Sequence, residues 1–326
     1  MTCIPLRSPA AWLAAVSAAL CCPDPAAAQY PLKPITMIVP FAAGGSSDAI
    51  ARIVAEGMAK GLGQSIIIEN DGGAGGTTAT ARVARAAPDG YTITMGNMGT
   101  HGAAPAQYPN LKYDPRRDFT PIGLSAGVPM VIITRVTFPA ATLAEFVQHL
   151  RENPDKVNEG HAGVGSQTHA VCTMLHATLR TRTARVAYRS TGQVINDMVG
   201  GQIDFGCAAL TSAVSHIQAG TVKALAIASP MRADVIGNIP TTREGGVPEF
   251  QVSAWNALFA PRSLAPDAFA RLRAAHEAAL DDRATRKRLG DIGGELPGEA
   301  DRTPQALQAL VESEVARWSS VLKPAP

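Results

Sequence analysis

The sequence predicts an α/β fold of two units that face one another across a cleft. The apolar strand at Ile35–Val39 ends in a glycine pair that opens directly into a helix, and the strand-helix alternation then repeats as βαβαβ. A second α/β series follows a long stretch without periodicity. Parallel sheets covered on both faces read this way.

In order, Ile35–Val39 is an apolar β-branched strand, and Asp48–Lys60 carries apolar residues at helical spacing. Ser65–Glu69 reads as a buried strand, Thr77–Ala86 as an alanine-rich helix and Tyr91–Met95 as a strand. Asn97–Pro121 is rich in Pro, Gly and Tyr and shows no period, as a crossover or functional loop would. Val128–Thr134 opens the second series as a strand. Helices are expected over Thr142–Glu152, Gln167–Leu179, Thr191–Val199 and Thr211–Ala219, with strands at Arg185–Ala187, Ile203–Cys207 and Val222–Ala228. Val252–Phe259 reads as a strand, and two helices, Pro266–Leu289 and Thr303–Leu322, end the chain. Returning the C-terminal segment to the first unit gives lobe 1 as 29–125 with 240–326, and lobe 2 as 126–239. The cleft then lies at the strand ends, where ligands bind in such folds.

Composition narrows the function classes. The 326 residues are 46% hydrophobic and 17% charged with a formal net charge of +2, which provides a large core and no electrostatic footprint for nucleic acid. Arg7, the apolar run Ala10–Leu20 and Ala26-Ala27-Ala28 form a secretory leader, residues 1–28, with cleavage near Ala28. The run is too short to span a bilayer. A lipoprotein reading at Leu20-Cys21 places a bulky Leu where a small residue is wanted, and a buried N-terminal helix would end at Pro23-Asp24-Pro25. A soluble periplasmic protein without direct membrane insertion is expected, as a monomer. Cleavage removes Cys3, Cys21 and Cys22, leaving Cys172 and Cys207. An oxidising compartment permits their bridge, but the spacing along the chain does not decide it, and two separate buried thiols are the favoured expectation.

The glycine turn at Phe41, Ala43, Gly44, Gly45, Ser46, Ser47 and Asp48 is built for an anion. Glycine admits close backbone approach, and a helix start presents unpaired N–H groups and a positive dipole end. No Lys-Ser/Thr follows the glycines and no G-x-G-x-x-G stands there, so a nucleotide loop is excluded and a small carboxylate fits. As an alternative, Ser46 is a plain N-cap and Asp48 merely favours the dipole.

Tyr30-Pro31-Leu32-Lys33-Pro34-Ile35 and Ile38-Val39-Pro40-Phe41-Ala42-Ala43-Gly44-Gly45-Ser46-Ser47-Asp48 closely resemble the opening of the Bug proteins, the extracytoplasmic solute-binding proteins associated with tripartite tricarboxylate transporters. The resemblance continues through Glu69–Gly76, Ala87–Thr92, Gly99-Thr100-His101, Tyr113–Ile122, Gly163–His169, Gly200–Asp204, Ile217–Gly220 and Ile239-Pro240-Thr241, and so spans essentially the whole mature chain. It implies a type II periplasmic-binding-protein fold whose lobes close on an organic anion. It implies a membrane permease of such a transporter as partner, or a sensor receptor reading the closed form, with no cofactor and no chemistry on the ligand.

In the family the first loop contributes to the carboxylate site. Gly165, Ser166, Gln167, Thr168 and His169 form its second-lobe counterpart, a glycine turn feeding hydroxyls into a helix start; capping alone, or a structural imidazole at His169, is the alternative. Ala74 and Gly75 begin another helix beside the cleft, and Thr100 and His101 follow the third strand. Tyr188 and Gly192 belong to a tyrosine-led loop that departs from the family pattern at Ser190 and Gln193. In these segments Arg189 is the single basic side chain apart from histidines. If it points out, dipoles and hydrogen bonds must neutralise the anion. At Phe205-Gly206-Cys207-Ala208-Ala209 many relatives carry Asp where Ala208 stands, which argues against an amino-acid ligand. No H-x-x-x-H or C-x-x-C spacing and no G-x-S-x-G elbow occurs, so metal and hydrolase readings are disfavoured.

Overall fold

A computed structural model describes residues 30–322 together with Thr2. The leader and its cleavage point lie outside the described residues.

The chain has a bilobed α/β fold. Its first series is β1 (Ile35–Val39), α1 (Ser46–Leu62), β2 (Ile66–Asn70), α2 (Thr77–Ala84) and β3 (Thr92–Asn97). A π-helical turn at Gly99–Ala103 runs into the short α3 (Ala104–Gln107), and β4 (Phe119–Arg135) follows. Then come α4 (Leu143–Glu152), β5 (Asn158–His161), α5 (Gln167–Leu179), β6 (Ala184–Ala187), α6 (Thr191–Val199), β7 (Phe205–Ala209), α7 (Leu210–Gln218) and β8 (Val222–Ile227). The chain closes with β9 (Ser253–Pro261), α8 (Pro266–Asp281), α9 (Arg283–Asp291) and α10 (Pro304–Val321).

The strand order is β2-β1-β3-β9-β4-β7-β5-β6, with β8 also paired to β4. β4 is the shared strand: Phe119–Pro129 pairs antiparallel with β9, and Met130–Arg135 pairs with β7 and β8. In its second part successive side chains point to opposite faces, as the strand period demands. Met130 and Ile132 join one core with Phe146, Leu175 and Phe205, while Val131 and Ile133 join another with Val194, Ile195 and Leu210. An apolar run is what a strand covered on both faces requires.

Several expectations are corrected. β2 is an edge strand paired with β1 alone, so Ile67 is exposed rather than buried. The strand expected from Val128 begins at Phe119; its prolines hid it, and register shifts between Pro121 and Gly123 and between Leu124 and Ala126 let the ladder accommodate the irregularity. β5 reads Asn-Glu-Gly-His, without an apolar signal, and went unpredicted. The helix expected over Pro266–Leu289 is two, because Asp282 takes extended backbone and its side chain caps α9 at the Thr285 N–H. Cys172 and Cys207, favoured as separate thiols, are bridged at a Cα separation of 5.5 Å. Packing of α5 on β7 brings them together.

Candidate functional site

Between the two halves lies a small polar cavity, about 10 Å³, lined by Phe41, Gly45, Ser46, Ser47, Asn97, Ala162, Ser166, Gln167, Thr168, Ser190 and Thr191. Three helix starts meet there: α1 at Ser46, α5 at Gln167 and α6 at Thr191. Each brings free N–H groups and the positive end of its dipole. No Lys, Arg, Asp or Glu is among the lining residues.

The hydroxyls are arranged to donate. Ser47 Oγ accepts from Asn97 Nδ2 at 3.1 Å and Asn256 Nδ2 at 2.8 Å, which occupies both lone pairs and leaves its proton for the cavity. On the opposite wall Thr168 Oγ1 accepts the Ala162 N–H at 2.9 Å and lies 3.1 Å from Ser166 Oγ, which accepts the His169 N–H at 3.3 Å. Passing the Thr168 proton to Ser166 leaves the Ser166 proton directed at the cavity. Ser190 Oγ likewise caps α6 through the Gln193 N–H. Capping and anion binding are therefore compatible roles for the same oxygen, which accepts from the helix and donates to the ligand.

The halves approach through backbone. Gly75, at φ +62°, has room for no side chain, since a Cβ would stand 1.8 Å from the Val164 carbonyl of the other half. A Cβ on Gly192 would meet the Gly44 carbonyl at 2.7 Å. Around these contacts Ser46 Oγ meets Thr211 Oγ1 at 2.5 Å, Tyr108 donates to the Val164 carbonyl at 2.7 Å, and the Gly165 N–H donates to Gln107 Oε1 at 2.9 Å. The Arg189 guanidinium reaches across to the Gly72 carbonyl at 2.8 and 3.2 Å, so it joins the halves instead of lining the cavity.

Of the residues singled out from sequence, Phe41, Gly45, Ser46, Ser47, Ser166, Gln167 and Thr168 line the cavity. Others surround it. Ala43, Gly44 and Ala74 are exposed. Gly75, Gly165 and Gly192 form the seam between the halves. Asp48 is buried and accepts from the Gly44 N–H, Asn70 Nδ2 and Arg52. Burial pushes its carboxyl up, but those donors outweigh burial and hold it below the ordinary carboxylate range. Its work is to shape the loop. Thr100 bonds back to Asn97, and the fully buried His101 stacks on Phe259 with ring centroids 4.0 Å apart. His169 packs against His161, and burial pushes its imidazole down to about 4. Tyr188 donates to Asp197. Cys207 is in the disulfide, and Ala208 lines a closed hollow beside the cavity with His161, Thr168 and Thr191.

Asn97, Ala162, Ser190 and Thr191 were missed. Asn97 ends β3 at the edge where ligands sit, and Ser190-Thr191 is a hydroxyl pair at a helix start, the same signal that marked Ser166.

Residues 50–325 match the family described as the tripartite tricarboxylate transporter family receptor. The chain belongs to this family. MatC from Rhodopseudomonas palustris, solved with bound malate, is 43% identical to this receptor with a TM-score of 0.88, the match covering 90% of this chain and 100% of that one. The periplasmic binding protein BugD is 38% identical, with a TM-score of 0.86 and coverage of 90% and 97%. A second R. palustris protein, solved with adipate, is 29% identical, with a TM-score of 0.85 and coverage of 90% and 97%. The receptor is thus a Bug protein, and its family comprises periplasmic solute-binding proteins, not enzymes. Among the described residues no helix is long and apolar enough to cross a membrane.

Proposed function

We propose that this receptor captures a small organic carboxylate between its lobes and delivers it to the membrane permease of a tripartite tricarboxylate transporter. The observation that carries the reading is the cavity itself, where three helix starts and outward-donating hydroxyls converge with no fixed charge. Such a site neutralises an anion with dipoles and hydrogen bonds and avoids the desolvation cost of a buried ion pair. The malate and adipate held by two relatives support a dicarboxylate. The lobes are residues 29–125 with 240–326, and 126–239, and the leader 1–28 is removed on export. A cavity of about 10 Å³ has the room of one water, whereas ligand sites span about 300–1,000 Å³, so the carboxylate is held with the lobes further apart than this seam.

A thermal-shift screen of di- and tricarboxylates, aromatic acids and acidic amino acids tests this. A ligand that binds only the folded state at 100 times its Kd stabilises by about 2.7 kcal/mol. A dicarboxylate is expected to give the largest rise in melting temperature. No rise with any carboxylate would remove the reading.

A further inference from the structure

Gln167 is the anomaly of the cavity. It is 4% exposed, it lines the space between the lobes, and its buried side-chain Oε1 has no hydrogen-bond partner among the described residues. A buried amide oxygen without a donor costs the desolvation of that group, and native proteins seldom leave one so. Asn97, the other amide in the lining, is fully engaged: Nδ2 donates to Ser47, and Oδ1 accepts the Thr100 N–H at 3.1 Å.

Ser47, and Ser166 when Thr168 donates to it, keep a proton to give, which suits a carboxylate. Gln167 brings both an Nε2 donor, which a carboxylate satisfies, and an Oε1 acceptor, which a carboxylate cannot satisfy. A ligand that satisfies the whole lining must carry its own neutral donor beside its carboxylates. An ammonium group would supply the donor, but it would sit among positive helix ends with no carboxylate in the lining to balance it. A hydroxyl carries no such penalty.

Resting on the carboxylate reading above, we propose that Gln167 is a specificity-determining residue that accepts a hydrogen bond from the hydroxyl of a hydroxy-dicarboxylate. The receptor then prefers such acids to their deoxy analogues. A site built to bond a hydroxyl rejects the analogue that lacks it because its own polar group is left unpaired.

Calorimetric titration of the parent and of Gln167→Met and Gln167→Leu with malate, succinate and aspartate tests the assignment. Neither substitution strands a protein partner, because Gln167 has none, and melting temperatures without ligand confirm that both variants are folded. The parent should bind malate about tenfold more tightly than succinate. Both variants should lose that preference, with malate weakened about tenfold and succinate changed by less than about twofold. Equal affinity of the parent for malate and succinate, or a preference that survives both substitutions, would overturn the role of Gln167 and leave carboxylate binding intact. Tighter binding of aspartate than malate would replace the hydroxyl by an ammonium. If the parent binds none of the three while another carboxylate stabilises it, the hydroxy-acid assignment alone falls; if no carboxylate binds at all, the carboxylate reading falls with it.

Discussion

The two walls of the cavity present the same kind of helix start on different supports. α1 begins behind Gly45, which offers no side-chain cap, and its loop is held from below by side chains: Asp48 takes the Gly44 N–H, while Asn97 and Asn256 hold Ser47. α5 begins behind Ser166, which caps it directly, and in the second turn Cys172 ties the helix to β7. The first wall depends on a buried polar network and the second on a cap and a covalent tie. A network fails when any member is removed or protonated, whereas a tie fails only when it is cut.

Cutting the tie is expected to have the largest effect. Cys172 and Cys207 are 35 residues apart, and closing a loop of that size stabilises by about 4 kcal/mol through the unfolded chain. Cys172→Ala with Cys207→Ala, or reduction in denaturant, should lower unfolding free energy by about that amount. Chemical denaturation with and without reductant measures it. Two free thiols in the non-reduced, denatured protein would refute the bridge and the contrast between the walls.

What the sequence made legible was local chemistry. Glycine followed by hydroxyls at a helix start marked Phe41–Asp48 and Gly163–His169, because the cap and the anion need the same groups in the same few residues. Asn97 was hidden, since its amide matters only after β3 and β9 pair Asn97 with Asn256 and place both beneath Ser47. Asp48 was visible as a residue and ambiguous as a role: near a helix start a carboxylate can staple the loop or meet a ligand, and the loop's own N–H, Asn70 and Arg52 decide for stapling. The disulfide depends on which face of β7 meets α5, and β5 had no apolar residue to announce it.

Acidification should come next in size and should act on both lobes. His101 and His276 are fully buried in the first lobe, and burial pushes their imidazoles down to about 3 and about 4, from an ordinary value of 6.5, while His169 on the second wall is pushed down to about 4. Arg302 adds to the depression at His276. The unfolded chain takes up protons as pH falls through 6.5 while the folded chain does not, so this stability is complete above about pH 6.5 and is lost as pH falls toward 4. At pH 5 the first-lobe pair should cost just under about 4 kcal/mol relative to pH 7. Melting temperature against pH, with peptide-level hydrogen exchange, checks the sign and the place. Stability unchanged from pH 7 to pH 5 would mean that these rings are not held neutral.

The smallest effect separates support from binding at the two serines. Ser47→Ala removes the acceptor of two buried amides, so it should destabilise the ligand-free receptor by about 1–2 kcal/mol and weaken the carboxylate as well. Ser166→Ala removes a cap, worth about 1 kcal/mol, and the donor on the opposite wall. Both should weaken the best carboxylate of the screen about five- to tenfold, because each loses one hydrogen bond to a charged oxygen. Replacing Ser47 with Thr keeps the acceptor and the proton, so it should recover more stability than affinity if the added methyl crowds the small cavity. Equal affinity of the two alanine variants and the parent would move the anion away from both walls. Loss at one serine alone would show that a single helix start carries the charge, with the other lobe serving to exclude water.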